Sequence, residues 1–237
     1  MKKIVFDIET IGENFEEMDK TTQKVLTNWI ERTAKTKEEA EKCRKDVKEG
    51  LGFSPLTGEI VSIGVLENES KKGAVYFQAP GKKLKETEKN GIKFKPCTEK
   101  EILENFWKVA EHAEEFITFN GKSFDIPFMM IRSAIHKIKP SKNLMSNRYL
   151  ALQRTGAKHV DLLDHLTFYG AVFKRPNLHL CCRAFGIKSP KEDGVDGNEV
   201  AGLFEKKEYK KIAEYNLQDL YSTSDLYDYW NNYMRME

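Results

Sequence analysis

The stretch VFDIET, residues 5–10, continues an apolar run that begins at Ile4 and interrupts it with two carboxylates. A short apolar run of this kind predicts a buried strand. Successive side chains of a strand point to opposite faces, so Asp7 and Glu9 would lie side by side on one face. Two negative charges placed together at the end of a buried strand repel each other. The rest of the chain must therefore contain something that offsets this repulsion.

Length and composition indicate a folded globular protein. The chain has 237 residues, of which 40% are hydrophobic and 32% charged, a balance typical of ordered domains. This length suffices to bury a sizeable core, and we predict one domain spanning residues 1–237. The formal net charge is only +2, so a nucleic-acid surface would have to come from local patches rather than from a global basic field.

The cysteines and the apolar segments bear on location. The four cysteines show no C-x-x-C spacing, which favours reduced thiols. The sequence shows neither a signal peptide nor an apolar run of membrane-spanning length. We therefore predict a cytoplasmic protein with no membrane partner.

The chain after the first strand alternates predicted helices and strands. Residues 13–49 lack Gly and Pro and are rich in charge, which predicts a helical insertion at about residues 13–50. Thr98 and Glu101 have the spacing of a capping box at a helix start. Further strands are predicted at 59–66, 74–78 and 116–119, a lysine-rich hairpin or loop at 82–95, and later helices at 126–135, 178–185, 198–204 and 207–233. This order of elements predicts a mixed α/β fold.

Two later segments carry further acidic residues. In ITFNGKSFDIPFMM, residues 117–130, Asp125 follows a strand and a turn and lies at a helix start. In AEYNLQDLYS, residues 213–222, Tyr215 and Asp219 are four residues apart and therefore share one helix face. Together with the pair on the first strand, these segments supply four carboxylates and one phenol.

The chemistry of such a cluster favours metal ions. Carboxylates gathered in one cleft raise one another's pKa and destabilise a fold, and divalent cations relieve that repulsion. Ligand sets made only of oxygen select hard ions such as Mg²⁺ or Mn²⁺. Two such ions, roughly 3.5–4 Å apart, stabilise the attacking and leaving oxygens of a displacement at phosphorus. A tyrosine with a pKa of about 10 stays protonated, so it is better suited to orienting water than to deprotonating it.

The three motifs resemble those of the DEDD 3′–5′ exonucleases: D-x-E on a first strand, N-x-x-x-F-D-x-P-F in the middle and Y-x-x-x-D on a late helix. Within that group the chain is most similar to predicted exonucleases related to the proofreading domain of family B DNA polymerases. The phrase FSPLTGEIVSIGV, residues 53–65, also looks like that subgroup. A sibling branch has a histidine five residues before the last aspartate, where this chain has Glu214. Tyr215, four residues before it, favours the tyrosine branch.

The resemblance implies an RNase H-like fold, a mixed sheet flanked by helices, and stepwise release of nucleotides from a 3′ end. It also implies two divalent ions, Mg²⁺ or Mn²⁺. By position, Asp7, Glu9 and Asp219 would hold the catalytic ion, and Asp7 would bridge to a second ion whose shell includes Asp125. Tyr215 would position the attacking water.

The resemblance further implies a nucleic-acid substrate. Asn120 and Phe124 would lie against the terminal nucleotide or shape its pocket, and single-stranded DNA is favoured over RNA. Two alternatives stay open, an RNA 3′-end trimming enzyme and a catalytically silent nucleic-acid-binding module. The intact acidic set argues against the silent module, because carboxylates that repel one another have no use there without metal.

Two of the acidic positions also have a simpler interpretation. Asp125, with Pro127 just inside the helix, has the placement of an N-cap residue. KHVDLLDHL, residues 158–166, offers two histidines and two aspartates, but its histidines are six apart and match no helical metal pair. Asp161 of that segment, at a strand end, suits a position near the acidic residues, but a solvated or hydrogen-bonded surface is the favoured expectation.

Two clusters of basic and aromatic residues have equally plain interpretations. The lysines of residues 82–95 suit phosphate contacts and a solvated loop equally well. Phe168, Tyr169 and Phe173, next to Lys174 and Arg175, suit a stacking surface for single-stranded bases. Core packing is the default expectation for these aromatic rings.

Overall fold

The computed structural model describes residues 2–153, 157–189 and 199–236. The strands in these residues form one mixed sheet. Their bounds are β1 Lys3–Gly12, β2 Gly58–Glu67, β3 Gly73–Phe77, β4 Thr87–Lys89, β5 Ile92–Pro96, β6 Glu115–Thr118 and β7 Lys158–Asp161. The spatial order is β4-β5-β3-β2-β1-β6-β7, so the strand that carries VFDIET lies inside the sheet.

The pairing of β1 differs on its two sides. β1 runs antiparallel to β2 from Ile4–Glu67 to Gly12–Gly58, with an irregularity between Glu9 and Thr10. Its parallel pairing with β6 ends after the pair Val5–Ile117. The second half of β1 therefore has no partner residue in β6, and the region along this unpaired edge beside Asp7 and Glu9 is called the cleft below.

Helices cover both faces of the sheet. Their bounds are α1 Lys20–Thr27, α2 Ile30–Thr33, α3 Lys37–Gly50, α4 Glu99–Glu111, α5 Asp125–Ile135, α6 Leu162–Leu166, α7 Leu178–Phe185, α8 Val200–Glu205 and α9 Tyr209–Tyr233. Ile4, Phe6 and Ile8 of β1 pack with residues of α4 and α5. Val5 belongs to the core that β1 shares with α7 and α9. The alternation in VFDIET therefore points Asp7 and Glu9 toward α9.

The helical insertion after the first strand is confirmed. α1 begins after Asp19, whose carboxylate accepts hydrogen bonds from the backbone N–H groups of Thr21 and Thr22. The sequence of α3 is dense in charge, and the described residues of α1 and α3 include no fully buried side chain. After α3 the chain passes close to the end of β1. A Cβ atom on Gly12 would lie only 2.6 Å from the Cβ atom of Leu51, which shows how closely the two segments approach.

The other predicted elements are also present, with shifted ends. The capping box of α4 is confirmed, with the Thr98 hydroxyl and the Glu101 carboxylate each accepting the other residue's backbone N–H. The lysine-rich segment forms the antiparallel pair β4–β5. The helix predicted at 198–204 is α8, and residue 198 lies outside the described residues. In the part of the chain that the structure describes, no helix is both long and apolar enough to cross a membrane.

Candidate active site

β1 and α9 bring three carboxylates together. Asp7 and Glu9 come from β1, and Asp219 comes from α9, which packs across β1 and β2. One carboxylate oxygen from each of the three lies within 4.8 Å of the others. Glu9 and Asp219 are only 7% and 9% exposed. Residues 212 positions apart in sequence thus form one acidic cluster.

Asn216 orients the cluster, and the sequence motifs did not identify it. Its side-chain N–H donates a 2.8 Å hydrogen bond to Oδ2 of Asp7, while its Oδ1 accepts from the hydroxyl of Ser62 at 3.2 Å. Asn216 is fully buried. The only available signal was its position on the helix, because residues 216 and 219 are three apart and share a face.

Asp125 closes the cleft from the other side and is not an N-cap. The N-cap position of α5 belongs to Phe124, and Asp125 is the first residue of the helix. Its Oδ1 instead accepts the backbone N–H of Ile8 at 3.1 Å. That N–H is available because the pairing of β1 with β6 ends at Val5, three residues earlier. The N-cap interpretation is therefore wrong, and the hydrogen bond fixes Asp125 against β1, beside the acidic pair.

Burial and mutual repulsion raise the pKa values of these acids. Burial is the main cause that raises the pKa of Asp7 well above its usual range, and the charges of Asp125, Asp219 and Glu9 add to it. Burial and the charges of Asp219 and Asp125 likewise raise the pKa of Glu9. Burial also raises the pKa of Asp125 to about 7, against the hydrogen bond from Ile8. Without counter-charges, burial and mutual repulsion therefore disfavour the ionised form of these carboxyl groups.

The donor set fits hard divalent cations. The ligand atoms of Asp7, Glu9 and Asp219 are all carboxylate oxygens, and oxygen is the ligand type that Mg²⁺ and Mn²⁺ prefer. A bound cation stabilises the ionised form and so reverses the effect of burial on these pKa values. A cluster of buried like charges that a cation neutralises is consistent with a metal centre.

Tyr215 lies beside the acidic cluster. Burial raises the pKa of its phenol far above the usual range, and the nearby charges of Asp219, Glu9 and Asp7 raise it further. A hydrogen bond with the Asp219 side chain also favours the neutral phenol. Tyr215 therefore stays protonated at all physiological pH values. Its O–H donates a hydrogen bond, and its oxygen lone pairs accept hydrogen bonds.

Asn120 and Phe124 lie at the margin of the cleft. Asn120 has a φ of 69°, a conformation that asparagine tolerates better than most residues. Its Oδ1 accepts a hydrogen bond from the guanidinium of Arg175. Phe124 packs against Phe128 at a ring-centroid distance of 5.7 Å and against Phe53 at 6.5 Å. Phe53 is 64% exposed beside Phe124, and the sequence motifs gave it no role.

The second acidic segment supports the cleft by hydrogen bonding. Asp161 is buried and accepts from the backbone N–H groups of Asn120, Lys122 and Leu163 at 2.8–3.1 Å. The prediction that it is hydrogen-bonded is confirmed, but the prediction of a surface position is wrong. The three bonds hold the turn between β6 and α5, which carries Asn120 and leads to Asp125.

The histidine of that segment is a buried structural residue. Nδ1 of His159 lies 3.2 Å from the carbonyl oxygen of Leu144, and Nε2 lies 2.8 Å from the hydroxyl of Thr118. A carbonyl oxygen only accepts, so Nδ1 donates and Nε2 accepts in the neutral ring. Burial, with the Lys122 ammonium nearby, lowers the pKa of His159 to about 3.

Known proteins resemble this chain in sequence and in fold. The sequence profile of a family described as a predicted 3′-5′ exonuclease related to the exonuclease domain of PolB matches residues 58–236. These are about three quarters of the chain and include Asn120, Phe124, Asp125, Tyr215 and Asp219. A comparison with curated protein sequences finds no match.

The fold is similar to part of a known polymerase structure. That structure is the family B DNA polymerase from the hyperthermophilic archaeon Pyrobaculum calidifontis, with a TM-score of 0.59 and 14% sequence identity. The match covers 97% of this chain and 24% of the polymerase, so the chain spans about a quarter of that protein's length. This likeness shows the fold, and the profile match shows the family. The chain belongs to the family of predicted 3′–5′ exonucleases related to the exonuclease domain of PolB.

Proposed function

We propose that this protein is a metal-dependent exonuclease that removes nucleotides from the 3′ end of single-stranded DNA. The observation that carries the proposal is the convergence of three carboxylates from β1 and α9 within 4.8 Å, with Tyr215 beside them. An acidic cluster of this kind serves phosphodiester hydrolysis when divalent ions occupy it. The family to which the chain belongs is described as predicted 3′–5′ exonucleases, which supports the direction of cleavage in this proposal.

In this proposal the acidic residues hold two divalent ions, Mg²⁺ or Mn²⁺. Asp7, Glu9 and Asp219 would hold one ion, and Asp7 and Asp125 would hold the second. The bound ions supply Lewis-acid activation of water and stabilise the charge that develops on the phosphoryl oxygens. Asn216 keeps Asp7 in the ligating orientation through its 2.8 Å hydrogen bond.

Tyr215 positions the water that attacks the terminal phosphodiester bond. Its raised pKa keeps the phenol protonated, so Tyr215 contributes orientation and not proton abstraction. Asn120 and Phe124 contact the terminal nucleotide, the first by hydrogen bonding and the second with its partly exposed ring. Single-stranded DNA is favoured because the family is related to the exonuclease domain of a DNA polymerase.

The proposal is tested with 5′-labelled DNA and RNA oligonucleotides of one sequence, incubated with Mg²⁺, with Mn²⁺ or with a chelator. The expected result is a ladder of DNA products shortened from the 3′ end, in the presence of metal only. Asp7→Ala should abolish the ladder, because it removes the residue that faces both ions. Glu111→Gln, an exposed acid at the end of α4, is the matched control and should keep full activity.

The same assay separates the alternatives. A ladder on RNA alone would replace the proposed substrate by an RNA 3′ end. Binding of both oligonucleotides without shortening of either would favour a silent binding module. Full activity in Asp7→Ala would contradict the assignment of the site.

A further inference from the structure

The loop Phe168–Arg175 presents aromatic and basic side chains to solvent. Phe173 is 97% exposed and Phe168 60% exposed, and Val172 is exposed between them. Core packing is therefore the wrong expectation for these two rings. Lys174 and Arg175 follow directly, and residues 165–188 contain no acidic residue. Exposed apolar residues that occur singly need no explanation, but here they adjoin two cations in one short loop.

The backbone holds this loop in an uncommon conformation. Phe168, Tyr169 and Gly170 have φ values of 49°, 57° and 99° in succession. The left-handed region is strained for non-glycine residues, so packing elsewhere must support it. The Tyr169 ring packs against Tyr149 at a centroid distance of 4.7 Å. The contact of the Tyr169 ring with Tyr149 anchors the loop, while the neighbouring Phe168 remains exposed to solvent.

Hydrogen bonds fix both ends of the loop. The carbonyl oxygen of Thr167 accepts the backbone N–H groups of Gly170 and Val172, each at 3.1 Å. The hydroxyl of Thr167 donates to the carbonyl oxygen of Leu163 at 2.6 Å, which ties the loop to α6. At the other end, Asn177 caps α7 by accepting the N–H of Leu180 at 2.9 Å. The exposure of Phe173 is therefore a property of an anchored loop.

The basic end of the loop touches the margin of the candidate active site. The guanidinium of Arg175 donates to Oδ1 of Asn120, the residue proposed to contact the terminal nucleotide. Asn120 begins the turn that leads to Phe124 and Asp125. Phe173 is two residues before Arg175, so their Cα atoms are at most about 7 Å apart. An exposed ring and two cations thus lie next to Asn120, at the margin of the cleft.

We propose that the loop Phe168–Arg175 binds the single strand that leads into the cleft. Phe173 stacks on a base upstream of the terminal nucleotide, and Lys174 and Arg175 contact its phosphates. Single-stranded nucleic acid is the occupant that fits, because aromatic faces bind unpaired bases and adjacent cations bind the backbone. This inference rests on the proposed function, since it extends the same substrate from the same cleft.

Binding is measured apart from catalysis to test the loop. The probes are fluorescein-labelled 12-mers of deoxythymidine and of uridine, with affinity followed by fluorescence anisotropy in Ca²⁺ and again in EDTA. Phe173→Ala should weaken binding of the preferred 12-mer roughly tenfold, the loss expected for one base–aromatic stack. Lys174→Gln should lower the slope of log affinity against log salt by about 0.7, the value for one phosphate contact on a single strand.

The matched controls remove one ring and one cation outside the loop. Tyr233→Ala removes a ring that is 81% exposed at the end of α9, about 21 Å along the helix from Asp219. Lys108→Gln removes an exposed cation from α4, on the opposite face of the sheet. Both should bind the 12-mers like the unaltered protein. Circular dichroism and thermal melting should show that Phe173→Ala folds normally, because its side chain is almost fully exposed.

A second readout separates this inference from the proposed function. The p-nitrophenyl ester of thymidine 5′-monophosphate reaches only the terminal-nucleotide site, so Phe173→Ala should leave its hydrolysis unchanged while raising KM for the 12-mer roughly tenfold. Unchanged affinity and KM in Phe173→Ala would overturn the loop proposal and leave the exonuclease proposal standing. If the wild type binds the 12-mer but hydrolyses no substrate, and Phe173→Ala lowers that affinity, only the exonuclease proposal would be overturned. A wild type that binds neither 12-mer under either condition would overturn the loop proposal.

Discussion

At the scale of the residue, the burial of charge is the main feature of this site. Asp7 and Glu9 were identified from their alternation on a predicted strand, and Asp219 from its spacing to Tyr215. Asn216 was not predicted, because nothing in a single sequence shows that an amide on one helix faces a carboxylate on a distant strand. The position of Phe53 was not predicted for a related reason, since its contact with Phe124 depends on how the chain returns from the helical insertion.

Tyr215→Phe tests the role of the phenol. The change removes one hydroxyl and keeps the ring, so the carboxylates should still bind metal. Because the attacking water would lose its orienting group, we expect kcat to fall about 100-fold. The measurement is the rate of 3′ shortening under saturating metal. Tyr221→Phe, on the same helix, is the control and should keep its rate; an equal rate in Tyr215→Phe would remove the proposed role.

His159 predicts a pH dependence of stability. Its pKa is about 3 in the folded protein and about 6.5 in an unfolded chain, so the neutral ring contributes stability that is complete above pH 6.5. This stability is lost as the pH falls toward 3, at about 1.4 kcal/mol per pH unit between pH 6 and 4. His159→Gln should remove that slope.

The measurement compares urea unfolding of the two proteins at several pH values. The comparison is needed because the raised pKa values of Asp7, Glu9 and Asp125 contribute a slope of the opposite sign. The difference in unfolding free energy between wild type and His159→Gln, followed against pH, isolates the contribution of His159. His112→Gln, at the exposed end of α4, should keep the wild-type slope, and parallel curves for His159→Gln would contradict the prediction.

At the scale of the element, periodicity predicted most helices and strands, because one face of each packs on the sheet. The charged insertion after β1 was predicted from its lack of Gly and Pro, and the capping box placed the start of α4. The exposure of the loop Phe168–Arg175 was the less favoured of the two interpretations of its sequence. Aromatic residues usually signal a core, and the positive φ angles at Phe168 and Tyr169 could not be read from the sequence.

The contact between α9 and β2 predicts a strict requirement for glycine at position 64. Gly64 pairs with Asp7 across the sheet and lies beneath α9. A Cβ atom there would lie 2.5 Å from Oδ1 of Asn216 and 2.6 Å from Cδ1 of Leu220. Gly64→Ala should therefore push α9 away from the sheet and destabilise the protein by about 1–3 kcal/mol.

The same displacement should reduce activity, because α9 carries Asn216 and Asp219. Chemical unfolding and the rate of 3′ shortening measure the two effects. Gly202→Ala is a suitable control, since a Cβ atom on this residue of α8 has nothing within 4 Å and alanine favours helix. Wild-type stability in Gly64→Ala would show that α9 does not need this close approach.

At the scale of the whole molecule, one sheet joins the acidic site to both helical layers. That residues 1–237 form one domain stays a prediction, and a single cooperative unfolding transition with coincident optical probes would support it. The mixed α/β fold was predictable from the order of elements. The assembly of the site was predictable only through the resemblance to known exonucleases, because no local pattern shows that residues 7 and 219 meet.

Metal binding should change the stability of the whole fold. Without metal the buried carboxylates repel one another, so Asp7→Asn should raise the melting temperature of the metal-free protein at pH 8. A cation that binds only the folded state stabilises it by about 2.7 kcal/mol at 100 times its Kd. For a chain of this size that corresponds to a rise in Tm of roughly 5–10 °C.

Differential scanning fluorimetry with Mg²⁺, Mn²⁺ and EDTA measures this rise. Glu111→Gln should show the full rise, because its carboxylate lies at the exposed end of α4 and not in the cluster. In Asp7→Asn the rise should be absent or reduced, since a residue of the acidic cluster no longer carries charge. An equal rise in both variants would show that the ions bind elsewhere. The acidic cluster would then need another explanation for why its carboxylates lie together inside the fold.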